Sequence, residues 1–284
     1  MRVRVGCLFE HDAASETAAV LMLDPHRSIS EAVLEHEFTS QPVLAATAFD
    51  DLYGNRCRRL ILPVGSSTFS YDGTVEISPQ NEPVPGQGDV QHRIEHLPAE
   101  LLHWLLPSRY IESDVLSAKA WELFGGTNPG VDRVQAVCDW IHQNIAYGVK
   151  SVQTTTTLEI YDRRGGMCRD FAHLGVTFCR ALGIPARYVF GYMPDIGIPG
   201  PYPPMDFHAW FEVYLGDRWW TYDARFNTPR IGRVAIGHGR DAADVAMITT
   251  FGTASLRRMA VWADEIVEGT AVGEPLAAGL PHGG

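Results

Sequence analysis

The sequence lacks three features, and each absence excludes a class of protein. No uninterrupted apolar run approaches eighteen residues, so no membrane-spanning helix is predicted. Acidic residues outnumber basic ones by 34 to 23, and the formal net charge of -11 argues against nucleic acid or an anionic membrane as a main partner. Near the amino terminus, Glu10, His11 and Asp12 arrive before a secretory apolar segment forms, which favours a cytoplasmic location.

Cysteine pairs with metal-binding or redox spacing are also missing. The five cysteines, at positions 7, 57, 138, 168 and 179, are odd in number and include no CxxC pair. We therefore expect reduced and mostly buried thiols rather than a disulfide framework or a zinc site. His92 and His96 are four residues apart, but their segment lacks the HExxH order and a third ligand. Neither a metal nor another cofactor is predicted.

The chain does have enough apolar material for a large core, because 45% of its 284 residues are hydrophobic. Its length favours two domains. Residues 1–107 contain short β-branched and aromatic stretches separated by turn signals, which predicts a β-rich, antiparallel amino-terminal domain. Residues 108–268 are assigned to a second domain, and the Gly/Ala/Pro-rich residues 269–284 to a flexible tail.

Helical patterns begin in the second domain. Apolar spacing predicts one helix over residues 115–124 and another that begins at Pro129. A third is expected to begin at Cys168 or one residue earlier, and Gly183 ends it. Cys138 lies on the apolar stripe of the second helix, so we interpret it as a core residue.

Cys168 is the candidate nucleophile, because Gly165 and Gly166 precede it and a helix begins on it. Unpaired N–H groups and the positive end of the helix dipole favour the thiolate at this position. The same amides would stabilise an oxyanion formed when the sulfur attacks a carbonyl carbon, and the glycines would leave room for a substrate. On this pattern alone, a buried structural cysteine is the more common explanation, unless the chain also supplies a matching base.

A β-hairpin supplies such a base. Residues 206–215 alternate between polar and apolar side chains as a strand does, and residues 218–225 suit the returning strand. Gly216-Asp217 between them suits a two-residue type II′ turn, with glycine first. The hairpin therefore predicts which side chains share a face.

This register brings a histidine and an aspartate together. If Leu215 pairs with Arg218, His208 and Asp223 become diagonal neighbours, with Cβ atoms roughly 7 Å apart or less. A carboxylate at one imidazole nitrogen would hold the tautomer while the other nitrogen takes the thiol proton. An ordinary exposed His-Asp pair is the alternative. The spacing does not place Cys168 against this hairpin.

Three consecutive motifs lie within residues 129–225: GGMCRDFAHLGVTFCRALGIPARYVFGY, DFHAWFEVYL and RWWTYDAR. Their order and spacing resemble those of the transglutaminase-like superfamily of papain-type thiol enzymes. The resemblance implies an α+β fold, in which a β-rich amino-terminal domain precedes a papain-like transglutaminase core of helices packed on an antiparallel sheet. It also implies that Cys168, His208 and Asp223 are nucleophile, base and orienting acid.

The chain departs from the family pattern at one point. Many relatives have Asp-Pro where this chain has Asp223 followed by Ala224 and Arg225, so the course of the next loop stays open. The resemblance also favours a polar side chain upstream of the nucleophile as a second oxyanion donor. Gln153 is the candidate for that role, although a plain surface turn explains its segment as well.

The resemblance limits the chemistry to attack on an amide carbonyl, loss of the amine and resolution of a thioester. Water is the default acceptor, so we expect a cysteine peptidase or amidase that hydrolyses peptide or isopeptide-like bonds in peptide or protein substrates. A transglutaminase-type acyl transferase to an amine is the alternative. A non-catalytic binding module with the same fold is a further one. The sequence indicates neither the natural substrate nor the oligomeric state.

Overall fold

A computed structural model describes residues 1–267 and has the predicted α+β fold, in which antiparallel sheets are combined with a group of helices. The predicted tail, residues 269–284, lies outside the described residues. None of the helices within residues 1–267 has the length and apolarity needed to cross a membrane.

Strands occupy both ends of the described chain, and helices lie in its middle. The strands are β1 (Arg2–Ala13), β2 (Thr17–Leu21), β3 (Val33–Gln41), β4 (Thr47–Asp50), β5 (Arg56–Leu62), β6 (Gly65–Glu76), β7 (Ala146–Tyr147), β8 (Gly165–Gly166), β9 (Ala186–Tyr192), β10 (His208–Leu215), β11 (Arg218–Tyr222), β12 (Val234–Gly239), β13 (Ile248–Phe251) and β14 (Ala254–Glu265). The α-helices are α1 (Ser117–Phe124), α2 (Val131–Asn144), α3 (Thr157–Arg163) and α4 (Cys168–Ala181). Short 3-10 helices cover Arg27–Ala32, Ile94–His96 and Ala99–Leu105.

Two antiparallel sheets form the amino-terminal region, with the strand orders β14-β1-β6-β3 and β13-β2-β5-β4. Strand β1 lies in the interior of its sheet and turns every second side chain towards the core, where Val3, Val5, Cys7 and Phe9 are all buried. The predicted β-rich character is therefore confirmed. However, β13 and β14 come from residues that the sequence assigned to the second domain. A single cut in the sequence misses this pairing, because the end of the described chain returns to its beginning.

The remaining four-stranded sheet has the order β11-β10-β9-β12. Helix α4 packs so closely on β10 that a Cβ atom at Gly175 would lie 2.4 Å from the ring of Phe211. Helices α1, α2 and α3 each contribute an aromatic ring that packs edge-on against Phe178 of α4. The predicted helices are all present, and α2 begins two residues later than predicted.

Hydrogen bonds join the amino-terminal region to β12. The backbone N–H of His26 donates to the carbonyl of Ala235 at 2.8 Å. The side chain of Asn55 exchanges two hydrogen bonds with the backbone of His238, at 2.8 and 2.9 Å. The larger hydrophobic core also draws residues from both regions. The domain division near residue 107 therefore stays a prediction, while the two regions pack as one body around β12.

Candidate active site

Cys168 is the first residue of α4, and it is the one cysteine among the five that is not fully buried. The carboxylate of Asp170 accepts a hydrogen bond from the backbone N–H of Met167 at 2.9 Å, which caps the helix. Arg169 and Arg163 flank this carboxylate at 3.1 and 3.5 Å. The start of α4 is thereby held in place. The N–H of Asp170 donates to the carbonyl of Met167 at 2.9 Å, so the N–H groups of Cys168 and Arg169 are the ones without a partner within the helix.

The two glycines before Cys168 make room for the protein's own side chains. A Cβ atom at Gly166 would lie 2.5 Å from the Cβ of Asp170, and one at Gly165 would lie 2.6 Å from Val149. Both glycines are buried in β8, which pairs in parallel with β7. The expectation that they leave space for a substrate is therefore wrong, because the capping carboxylate and Val149 already fill that space.

The hairpin of β10 and β11 has the predicted register, since Leu215 pairs with Arg218. Its turn differs from the prediction. Gly216 and Asp217 both have positive φ, at 54° and 67°, which is the type I′ pattern rather than type II′. Aspartate is one of the few residues besides glycine that tolerates this conformation, so the second turn position accepts it. Strand β11 ends one residue before Asp223.

His208 and Asp223 form a buried pair, with 2.7 Å between Nε2 and Oδ2. Because an ionised carboxylate only accepts hydrogen bonds, Nε2 carries the proton and Nδ1 keeps the lone pair. Nδ1 lies 3.5 Å from a guanidinium nitrogen of Arg225. Burial lowers the pKa of His208, and Arg233 and Arg225 add to this effect while Asp223 opposes it. The imidazole is therefore neutral near pH 7, with Nδ1 as its basic atom.

Asp223 is held by four hydrogen bonds. Oδ1 accepts from the backbone N–H groups of Arg225 and Phe226 at 3.0 and 3.4 Å. Oδ2 contacts both His208 and the guanidinium of Arg233, the latter at 2.8 Å. Burial alone would raise the pKa of Asp223, but His208 and Arg233 together hold it below its usual value. The acid therefore stays ionised and keeps the orientation of the imidazole.

Sequence reasoning missed Arg233 and its second partner, Glu82. Arg233 is only 6% exposed, and its Nε lies 2.9 Å from a carboxylate oxygen of Glu82. The same carboxylate accepts from the backbone N–H of Arg230 at 3.2 Å. No spacing rule relates Glu82 to Arg233, because they are 151 residues apart in the chain. The structure thus continues the His208–Asp223 pair into a line of alternating charges.

Cys168 lies against the start of β10, which the hairpin register alone did not predict. Burial raises the pKa of its thiol to about 11, and the backbone N–H of Ala209 and the charge of Arg225 offset this only in part. Because Ala209 directly follows His208, the N–H that acts on the sulfur belongs to the strand that carries the base. The expected preformed thiolate is therefore not supported, since burial outweighs the N–H of Ala209 and the charge of Arg225 and favours the neutral thiol.

Gln153, the predicted second oxyanion donor, is exposed in a turn in which the N–H of Thr155 donates to the carbonyl of Val152. That carbonyl also accepts from Arg169 at 2.9 Å, which ties the turn to the start of α4. Within residues 1–267 the Gln153 side chain has no hydrogen-bond partner. Its role stays a prediction.

The described part of the chain also bears on metal binding. There, no group of three or more His, Cys, Asp or Glu side chains is arranged to hold a metal ion. His92, one of the two histidines with helical spacing, lies before the short helix that contains His96 and contacts Asp217 at 3.2 Å. The described side chains at this site thus offer a thiol, an imidazole and a carboxylate.

Comparison with known proteins covers both regions. The model of the transglutaminase-like superfamily matches residues 118–224, which include Cys168, His208 and Asp223. A solved structure of a presumed cysteine protease from Cytophaga hutchinsonii is 31% identical, with a TM-score of 0.79, over 98% of this chain and 94% of that one. An uncharacterized protein of Mycobacterium tuberculosis is 28% identical over 247 residues, or 78% of this chain and 77% of the relative.

A shorter match is found in Mycobacterium leprae. An uncharacterized protein of that organism is 33% identical over 118 residues, which is 40% of this chain. The match spans 42% of that relative, so less than half of its length is represented here.

Proposed function

We propose that this chain, which belongs to the transglutaminase-like superfamily, is a thiol-dependent hydrolase of peptide or isopeptide-like amide bonds that works through a thioester on Cys168. One observation carries the proposal. His208 and Asp223 form a buried pair at 2.7 Å, and the next N–H along β10, that of Ala209, acts on the sulfur of Cys168. Nucleophilic catalysis on an amide requires a thiol, a base that takes its proton and an acid that orients the base, and Cys168, His208 and Asp223 supply these groups.

In the first half of the proposed reaction, the sulfur of Cys168 attacks the carbonyl carbon while Nδ1 of His208 takes the thiol proton. The π electrons of the carbonyl move to its oxygen, where the free N–H groups at the start of α4 stabilise the negative charge. Collapse of this intermediate breaks the C–N bond. The amine leaves with the proton that His208 held, and a thioester remains on the sulfur.

In the second half, water attacks the thioester carbon and gives a proton to Nδ1 of His208. The C–S bond breaks, the carboxylic acid product leaves, and the proton returns to the sulfur. The net reaction of the two halves converts one amide and one water molecule into one carboxylic acid and one amine. Asp223 stays ionised throughout, because its role is to stabilise the imidazolium that forms in each half.

The ionisation states support attack that is coupled to proton transfer. Burial raises the pKa of the Cys168 thiol to about 11, and it lowers the pKa of His208. A full proton transfer before attack is therefore unfavourable, whereas formation of the C–S bond makes the sulfur more acidic as it proceeds. The neutral imidazole is ready to accept the proton across the neutral pH range.

The test is turnover of a peptide and amide library by the wild-type protein and by Cys168→Ala. We expect the variant to lose all turnover while it keeps its melting temperature, and Cys57→Ala, a buried cysteine in the amino-terminal region, to keep turnover. Mass spectrometry in ¹⁸O-water with a lysine-like amine present identifies the acceptor. A labelled acid supports hydrolysis, whereas a predominant amide-exchange product would show a transferase. Retained turnover in Cys168→Ala would refute the proposed nucleophile.

A further inference from the structure

We propose that Arg225 selects amide substrates that carry a carboxylate close to the scissile bond, an inference that rests on the hydrolase function proposed for this site. Arg225 directly follows Ala224, the residue at which the chain departs from the Asp-Pro pattern of the family.

The guanidinium of Arg225 lies at the reacting centre. One of its nitrogens is 3.5 Å from Nδ1 of His208, the nitrogen that takes the thiol proton in the proposed reaction. Its positive charge also reaches Cys168, where it favours the thiolate. A substrate group bound by this guanidinium would therefore sit within a few atoms of the attacked carbonyl.

Two aromatic rings hold this side chain in place without neutralising it. The guanidinium carbon lies 3.7 Å from the ring centroid of Tyr147 and 4.5 Å from that of Phe226. Tyr147 belongs to β7, which pairs with the strand just before α4. The stacking fixes the plane of the guanidinium, and the N–H groups at its edge that do not face His208 remain available for a ligand.

Arg225 has no acidic partner within residues 1–267. Arg233 differs in this respect, because its guanidinium contacts two carboxylates, at 2.8 and 2.9 Å. Acidic residues are abundant in this chain, 34 against 23 basic ones, so the missing counter-charge is not a matter of composition. A planar, oriented guanidinium without an acidic partner matches the two oxygens of a carboxylate in a bidentate contact.

A negative charge of the protein also lies near the sulfur. Asp206 raises the pKa of the Cys168 thiol, whereas Arg225 lowers it. A substrate carboxylate would therefore be attracted by Arg225 and repelled by Asp206.

Binding in a Cys168→Ala background tests the inference without turnover. The probes are acetyl-Ala-Ala-Xaa-Ala-Ala-amide peptides, in which Xaa is Glu, Gln, Asp or Asn, and affinity is measured by calorimetry. We expect one acidic peptide to bind about tenfold to a hundredfold more tightly than its amide counterpart, as a charge-assisted hydrogen bond predicts. Adding Arg225→Met should abolish this preference, Arg225→Lys should keep part of it, and Asp206→Asn should keep or strengthen it.

Equal binding of the four peptides, or a preference that survives Arg225→Met in a folded variant, would overturn the inference. So would an equal loss of kcat for acidic and neutral substrates when Arg225→Met is made in the active protein, because Arg225 would then act on the transition state. Turnover tests the hydrolase function, and binding tests the role of Arg225, so one can be refuted without the other. A wild-type protein that cleaves neither acidic nor neutral peptides contradicts the hydrolase function, while charge-selective binding still tests Arg225.

Discussion

Replacing Arg233 by methionine tests whether the buried line Glu82–Arg233–Asp223 sets the pH range in which His208 acts as a base. Methionine keeps much of the side-chain volume and removes the charge. Arg233 and His208 contact the same oxygen of Asp223, at 2.8 and 2.7 Å. The cation and the imidazole nitrogen are therefore no more than about 5.5 Å apart, close enough for direct electrostatic coupling.

The size of the effect follows from that distance. At an effective dielectric constant of about 20, two unit charges at this separation repel each other by about 3 kcal/mol, which corresponds to about 2 pKa units. The repulsion disfavours the imidazolium, so removal of Arg233 raises the pKa of His208. Because His208 must be neutral to accept the thiol proton, the acid limb of kcat/KM moves to higher pH, by about 1 to 2 units after screening.

The assay is the pH profile of kcat/KM on a peptide that the wild-type protein cleaves. Arg233→Met also removes the arginine partner of two buried carboxylates, which costs about 3 to 5 kcal/mol of stability, so profiles are recorded well below the melting temperature. Arg58→Met is the matched control, because Arg58 pairs with the buried Asp24 at 2.7 Å and has no contact with His208. It should lose stability without moving the acid limb, and Arg233→Lys should keep the limb near its original place. A folded Arg233→Met protein with an unshifted acid limb would refute the reasoning.

Three further outcomes are expected. Iodoacetamide should alkylate Cys168 more slowly than a model thiol near neutral pH, since burial raises its pKa to about 11; faster alkylation would indicate a preformed thiolate. Gly166→Ala should lower stability in thermal unfolding by about 1 to 3 kcal/mol, because its methyl group meets the side chain that caps α4, whereas Gly126→Ala meets nothing and should match the wild type. Burial raises the pKa of Glu212, but Arg187 and its other neighbours lower it to about 2. Its stability contribution is therefore present above the ordinary value of 4.5 and lost as the pH falls towards 2. Glu212→Gln should flatten this loss in urea unfolding between pH 5 and about 2, and an unchanged pH dependence would contradict it.

The part of the site that depends on local geometry was predictable from the sequence. A two-residue turn sets the pairing of Leu215 with Arg218, and that pairing brings His208 and Asp223 onto one face of the hairpin. The start of α4 at Cys168 also follows from local signals. The turn type did not follow, because a Gly-Asp pair satisfies either type and the twist of the flanking strands decides between them.

The parts that depend on tertiary packing were not predictable. The thiolate expected at Cys168 rested on the helix terminus, which is a local property, whereas the burial that opposes it comes with the packing of α4 against β10. The pairing of β14 with β1 joins the two ends of the described chain, and no composition shift marks it. Arg233 gave no signal either, because an arginine before a strand is ordinarily a solvated residue.

The charges of the site connect the amino-terminal region to the proposed chemistry. With His208 neutral, the group of Glu82, Arg233 and Asp223 carries one net negative charge, and protonation of His208 brings the total to zero. Without Glu82, the same protonation would leave a buried group with one net positive charge, which is unfavourable in a medium of low polarity. Glu82 belongs to the segment that follows β6, so residues before the predicted boundary at 107 supply the charge that balances the imidazolium. The amino-terminal region is therefore part of the electrostatic design of the site, and not only a support for its sheet.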